Sequence, residues 1–126
     1  MGFGDEDPDR SARAFRDAVR AQTRVEIHVI VADTFGRPWR EGLVNIAIGV
    51  AGFAPLRSYL GERDPAGRPL QATILAIADE LAAAAEPVMG KLDRIPAAII
   101  RGLTLAPDDG SGSKSLLRDP ARDLFR

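Results

Sequence analysis

Hydrophobic positions along the chain follow two periods in turn. Ala12, Phe15, Val19 and Gln22 recur at helical spacing and make one mostly apolar face, with Arg13, Arg16, Asp17 and Arg20 on the other. Asp7 and Pro8 come just before them, and a proline in a first turn suits a helix start. The pattern predicts a short amphipathic helix. Residues 25 to 32, VEIHVIVA, change to alternation, with Val25, Ile27, Val29 and Val31 on one face. The other face is polar at Glu26 and His28 and apolar at Ile30. This reads as a strand running from a wet edge inward, with Asp33 and Thr34 at its inner end. Residues 43 to 51, LVNIAIGVA, read as a second strand. Val44, Ile46, Ile48 and Val50 are bulky on one side, and Asn45, Ala47, Gly49 and Ala51 are small on the other. A small face lets another backbone, or a ligand, come close.

Turn formers at Gly61, Asp64-Pro65 and Gly67 make residues 55 to 69 a loop. From about Gln71 the helical period returns, with Ile74, Ile77, Leu81, Ala84 or Ala85, and Val88 in phase and a strongly helical AAAA run. Gly90 ends that helix as a left-handed cap. Residues 97 to 100, AAII, read as a third apolar strand entering Arg101-Gly102. Residues 107 to 115, PDDGSGSKS, have the composition of a flexible linker. The last stretch, LLRDPARDLFR, adds at most a turn of helix. No internal repeat is present.

Composition narrows the function more than the fold. A chain of 126 residues is one domain or a piece of one, and can bury a real core. Seventeen basic against eighteen acidic side chains give a formal charge of -1, which argues against a general nucleic-acid or membrane surface. The absence of cysteine excludes disulfides, thiolate nucleophiles and cysteine metal sites. The N-terminal MGFGDEDPDRSAR is acidic and has no apolar centre, so it is not a secretory signal. The longest apolar run, roughly residues 46 to 56, is too short and glycine-rich to span a bilayer. A soluble cytoplasmic protein is the expectation.

The candidate chemistry lies in two stretches. Asp33-Thr34 sets a carboxylate beside a hydroxyl, oxygen donors of the kind that magnesium or manganese takes. Arg37 and Arg40 follow within the loop, and guanidinium groups pair with phosphate or carboxylate oxygens in bidentate fashion. Together they make a plausible clamp for a transferring phosphoryl group. The bland alternative has Asp33 capping a turn, Arg40 paired with Glu41, and Trp39 plugging the core. The second stretch is MGKLDRIP, residues 89 to 96. It is a poor Walker loop, which needs GxxxxGK[ST] between a strand and a helix. By spacing alone Gly90 is a helix cap and Lys91 complements the negative helix end. His28 is the single histidine, so a multi-histidine zinc site is excluded. Asp79 and Glu80 suit the polar face of a helix, and the serines at 111, 113 and 115 lack a G-x-S-x-G elbow.

The blocks DTFGRPWREG, AIGVAG, PLRSY, ADELAAAAEPVMGK and IPAAIIRGL, in this order, resemble the coenzyme F-420-0:L-glutamate ligase family. The resemblance runs over residues 8 to 126, and the terminal DLFR is similar to the point where bifunctional members pass into a nitroreductase-like domain. It implies an α+β fold, a mixed or antiparallel sheet with packed helices, with residues 1–106 a partial ligase-like domain and 107–126 a linker and tail. It also implies a GTP-dependent ligase that phosphorylates the terminal carboxylate of a deazaflavin coenzyme precursor. The amine of L-glutamate then attacks the acyl phosphate, and a further glutamate is joined through a γ-glutamyl link. Members use Mg2+ or Mn2+ with K+, and form homodimers. By position, Asp33 and Thr34 match the family's metal-binding pair. Met89, Gly90, Lys91, Leu92, Asp93, Arg94, Ile95 and Pro96 match its nucleotide-binding segment. Arg37 and Arg40 as partners of phosphate or carboxylate rest on charge and position alone.

The departures are specific. The family's ligase domain is about twice this length, and the missing half, upstream, carries further nucleotide contacts and another metal-binding aspartate. Lys91 stands where some members have a glutamine ligand, and lysine donates to phosphate rather than binding metal. Pro87 replaces a more usual aliphatic residue near the helix end. Three readings compete: a ligase piece completed by its N-terminal half, a non-catalytic nucleotide- or metal-binding or assembly module, and a remnant with a fold but no ligand.

Overall fold

The computed structural model describes residues 7–71, 73–110 and 112–122. The opening stretch through residue 6 and the terminal DLFR lie outside the described residues. Helix α1 spans Pro8–Thr23, with Asp7 as its N-cap accepting from the Arg10 N–H at 3.1 Å. Arg24 closes it at φ 59°, a left-handed cap whose N–H reaches the Arg20 carbonyl. The buried side of α1 differs from the apolar stripe expected. Asp9 and Ala12 are buried, the Arg16 side chain is only 11% exposed, and Phe15 and Gln22 face water. Hydrophobic spacing misses this because the two charged groups turned inward each have partners.

Strand β1 is Val29–Gly36 and strand β2 is Leu43–Ala51, an antiparallel hairpin joined by the loop 37–42. β1 begins four residues later than alternation suggested, because its first partner, Ala51, is the last residue of β2 and Val25 to His28 have no strand to pair with among the described residues. Asp33 and Thr34 therefore sit inside the ladder, opposite Ile46 and Asn45, and not at a strand end. The register shifts between Val31 and Ala32, leaving Ile48 as an unopposed residue, a β-bulge.

The small face of β2 behaves as its composition suggested. Asn45, Ala47 and Gly49 are buried. A Cβ on Gly49 would lie 2.4 Å from the Pro8 carbonyl oxygen, so this residue must be glycine for α1 to seat. Here the close approach is made by a backbone. Two helix carboxylates then bond directly to the strand: Ala47 N–H donates to Asp79 Oδ1 at 2.9 Å, and Val50 N–H to Asp9 Oδ1 at 2.8 Å.

Strands β3, Arg57–Ser58, inside the expected loop, and β4, Ile74–Leu75, beyond it in the expected helix, form a second small antiparallel pair. Helix α2 is Ile77–Met89, starting later than the periodicity implied because Ile74 and Leu75 are taken into β4. It runs on through Pro87, and its Ala78, Leu81 and Ala82 are buried. The core joins Ala47, Val50, Phe53, Ala78 and Leu81, with Ile30, Ile77, Leu105 and Leu116 packed around them. The fold is α+β.

Residues 97–100 are not a strand. All of 91–100 is exposed and outside any strand or helix, and the β2 N–H groups at Ala47 and Val50 already bond to side chains rather than to another strand. The stretch expected to be a linker also differs in detail. Gly112–Leu116 form a short 3-10 helix, and Ser113 donates to Asp9 through both its N–H, at 2.8 Å, and its hydroxyl, at 3.0 Å. A second 3-10 turn, Pro120–Arg122, follows. Among the described residues no helix is long and apolar enough to cross a membrane.

Candidate functional site

The ladder brings the two flagged stretches to one place. Thr34 and Asn45 are directly opposite in the β1–β2 register, an arrangement that sets side chains about 5 Å apart. Asn45 is 6% exposed, and its Nδ2 donates to Glu86 Oε2 at 2.8 Å. The other carboxylate oxygen of Glu86 lies 3.6 Å from the Lys91 ammonium. A line of contacts thus runs from the middle of the hairpin, through Asn45 and Glu86, to the start of the 89–96 segment. Nearest neighbours along a strand point to opposite faces, so Thr34 shares the Asn45 face while Asp33 shares that of Ile46.

Asp33 is half-buried, and its Oδ1 accepts from the Thr34 N–H at 2.9 Å. The Asn45 carbonyl oxygen is the distinctive atom. It is buried and has no hydrogen-bond partner among the described residues. Because a carboxylate only accepts, the Glu86 bond fixes Nδ2 on that side and leaves Oδ1 as the unmatched acceptor. Among the described residues no three His, Asp or Glu side chains are placed to hold a metal ion together. Asp33 and Thr34 each offer an oxygen donor, on opposite faces of β1, and magnesium takes about six oxygen ligands.

The loop arginines divide in role. Arg37 folds back on its own loop, donating through an Nη to the Glu41 carbonyl at 2.9 Å, while its Nε is buried and unmatched among the described residues. Arg40 is exposed and makes no ion pair with a described residue, including Glu41. Trp39 is 89% exposed at φ 58°, so it is no core plug. A non-glycine residue in that region stores roughly 1–3 kcal/mol of strain, a feature that gathers at functional loops.

In the second stretch, Gly90 ends α2 at φ 66° and ψ -176°, which is not the left-handed helical cap expected, and its N–H reaches the Glu86 carbonyl at 2.8 Å. Asp93 Oδ2 packs 3.0 Å from where a Cβ on Gly90 would sit. Residues 91 to 96 carry exposed side chains, with Lys91 beside Glu86. The helix-end reading of Gly90 therefore holds as geometry, and it sets Lys91 next to the Asn45–Glu86 pair.

The sequence model of the F420-0:gamma-glutamyl ligase family matches residues 5–102. The chain belongs to this family. It is 47% identical over 125 residues to the coenzyme F420:L-glutamate ligase of Methanopyrus kandleri, covering 96% of this chain and 50% of that protein. With the enzyme of the same name from Methanothermobacter thermautotrophicus it shares 50% identity over 123 residues, covering 95% of this chain and 48% of the relative. The enzyme of that name from Haloarcula marismortui is 47% identical over 122 residues, 96% of this chain and 47% of that one. The chain spans about half the length of these curated relatives.

Two members of the site escaped residue-by-residue reading. Asn45 registered only as small, and Glu86 only as part of a helix. The signal for both was the single asparagine in an otherwise apolar strand, since a polar group there must find a partner. Asp79, read as a helix-surface charge, and Asp9 are structural clasps on β2. His28 lies over Gly52 and tilts against Phe53 with ring centroids 5.4 Å apart, which is packing rather than chemistry.

Proposed function

We propose that this chain supplies half of the active site of a GTP-dependent ligase that joins L-glutamate to a deazaflavin coenzyme precursor. Family membership supports the reaction class, and the observation that carries the assignment to these residues is the convergence of the Thr34 strand and Lys91 on the Asn45–Glu86 pair. In the reaction, the precursor carboxylate oxygen attacks the γ-phosphorus of GTP, and GDP leaves. The glutamate nitrogen then attacks the acyl carbon, the C–O bond to phosphate breaks, and inorganic phosphate departs as the nitrogen loses a proton. A γ-glutamyl link follows by the same sequence.

Within this chain, Lys91 and the backbone of residues 89 to 96 hold the nucleotide phosphates, and the exposed Arg40 meets a phosphate or carboxylate from the hairpin tip. Arg37 shapes the loop that carries it. Asp33 and Thr34 each offer an oxygen donor to Mg2+ or Mn2+, one on either face of β1. Such an ion neutralises phosphate charge when bound, and K+ is the expected monovalent partner. The remaining ligands and nucleotide contacts come from the other half of the ligase polypeptide or from a second copy in a homodimer.

Exposed apolar side chains support completion from outside. Phe35, Trp39 and Leu43 on the hairpin, and Leu92, Ile99 and Leu103 beyond α2, are exposed in this chain. A nucleotide titration tests the assignment. Lys91→Ala is expected to weaken GTP by about tenfold while leaving the metal affinity nearly unchanged. Equal GTP affinity in the variant returns Lys91 to a helix-end role. Binding of GTP and metal by the completed protein without glutamate addition would favour a non-catalytic binding module.

A further inference from the structure

We infer that the side-chain carbonyl of Asn45 is a ligand for a hard cation on the Thr34 face of the hairpin, oriented by its bond to Glu86. The inference extends the reading of Thr34 as a cation ligand to a residue with no role assigned so far. Its support is the buried, unmatched Oδ1 of a residue that is 6% exposed. A buried acceptor left unmatched costs roughly 1–3 kcal/mol, so an atom held this way is expected to meet a partner in the working protein.

The surroundings select the kind of partner. Thr34, directly across the ladder, carries a hydroxyl, and Glu86, bonded to Asn45 Nδ2 at 2.8 Å, adds a carboxylate. All these donors are oxygen, and among the described residues the only cationic side chain tied to them is Lys91, 3.6 Å from Glu86. Oxygen-only surroundings favour a hard cation over an anion or an apolar group. Glu86 fixes which end of the amide faces the site, the role that hydrogen-bond partners behind a ligand usually play. The divalent ion of the ligase reading and a separate monovalent ion share this chemistry.

The test uses the full chain and reads binding, not turnover. In an NMR titration with Mn2+, the Asn45 side-chain amide signals are expected to broaden among the first in the molecule. With K+ or Mg2+ they are expected to shift without broadening, and whichever ion moves them first identifies the source. Asn45→Leu and the isosteric Thr34→Val are each expected to weaken that ion by about tenfold or more. Unmoved Asn45 signals, together with unchanged affinity in Asn45→Leu, overturn the inference. If Thr34→Val weakens binding while Asn45→Leu does not, Thr34 stands as a ligand and Asn45 falls. If the unaltered chain binds no cation, both fall. Should Asn45→Leu not fold, the titration of the unaltered chain and Thr34→Val still decide.

Discussion

The body around the hairpin and the segment that follows α2 are built in opposite ways. In the body, small residues let helices close on β2, and a buried carboxylate from α1 and a half-buried one from α2 bond the strand backbone directly. After Gly90 the chain holds neither helix nor strand through residue 100, and Leu92 is 91% and Ile99 78% exposed. Burying an aliphatic side chain is worth about 1.5–3 kcal/mol, and a segment that leaves several in water forgoes that contribution among the described residues. The body carries its own stability. The segment carries residues whose burial needs another surface, and the candidate site lies where the two meet.

Breaking the body at its tightest point should have the largest effect. Gly49→Val forces a side chain into the Pro8 carbonyl, and a loss of about 3 kcal/mol or more is expected by denaturant unfolding. Next comes Asp9→Ala, which leaves the Val50 and Ser113 N–H groups without their acceptor and should cost about 2–3 kcal/mol. Hydrogen exchange should show the 112–116 turn released in that variant. Asp79→Asn keeps a side-chain oxygen for the Ala47 N–H but loses the charge, and about 1 kcal/mol is the expected cost in thermal melting. At the small end, Leu92→Ser and Ile99→Ser should change the stability of this chain by less than about 0.5 kcal/mol. The same two changes should weaken assembly with a completing half, measured by titration calorimetry. A large loss of stability in the isolated chain would show that the segment is already part of the body.

What could be read from the sequence follows the same division. The hairpin's second strand, its small face and both helices were legible, because short-range period decides them. The start of β1 was not, since a strand ends where its partner ends, and Ala51 fixes that from a distance in sequence. AAII at 97–100 has strand-like residues but lies apart from any described strand. The buried Asp9 and Arg16 were hidden because charge normally marks a surface, and only tertiary pairing reverses it. At the site, Asp33, Thr34 and Lys91 were accessible through the family's words, and Asn45 and Glu86 emerged only when the register set Thr34 opposite Asn45. The Arg16 guanidinium is held above its usual pKa chiefly by its hydrogen bond to Asp109, against the opposing effect of burial, with Asp17 adding to the rise. It is a fixed positive anchor between α1 and the segment after Pro107, on a different side chain set from the candidate site.

The most direct test of the account follows product mass. The chain is incubated with the deazaflavin precursor, GTP, Mn2+, K+ and L-glutamate, with and without a separately made other half of a family ligase, and analysed by chromatography and mass spectrometry. The account predicts glutamate-sized mass increments that require the completing half and that Lys91→Ala diminishes. Folded chain that adds no glutamate in either mixture, under conditions where an intact family ligase does, would contradict it.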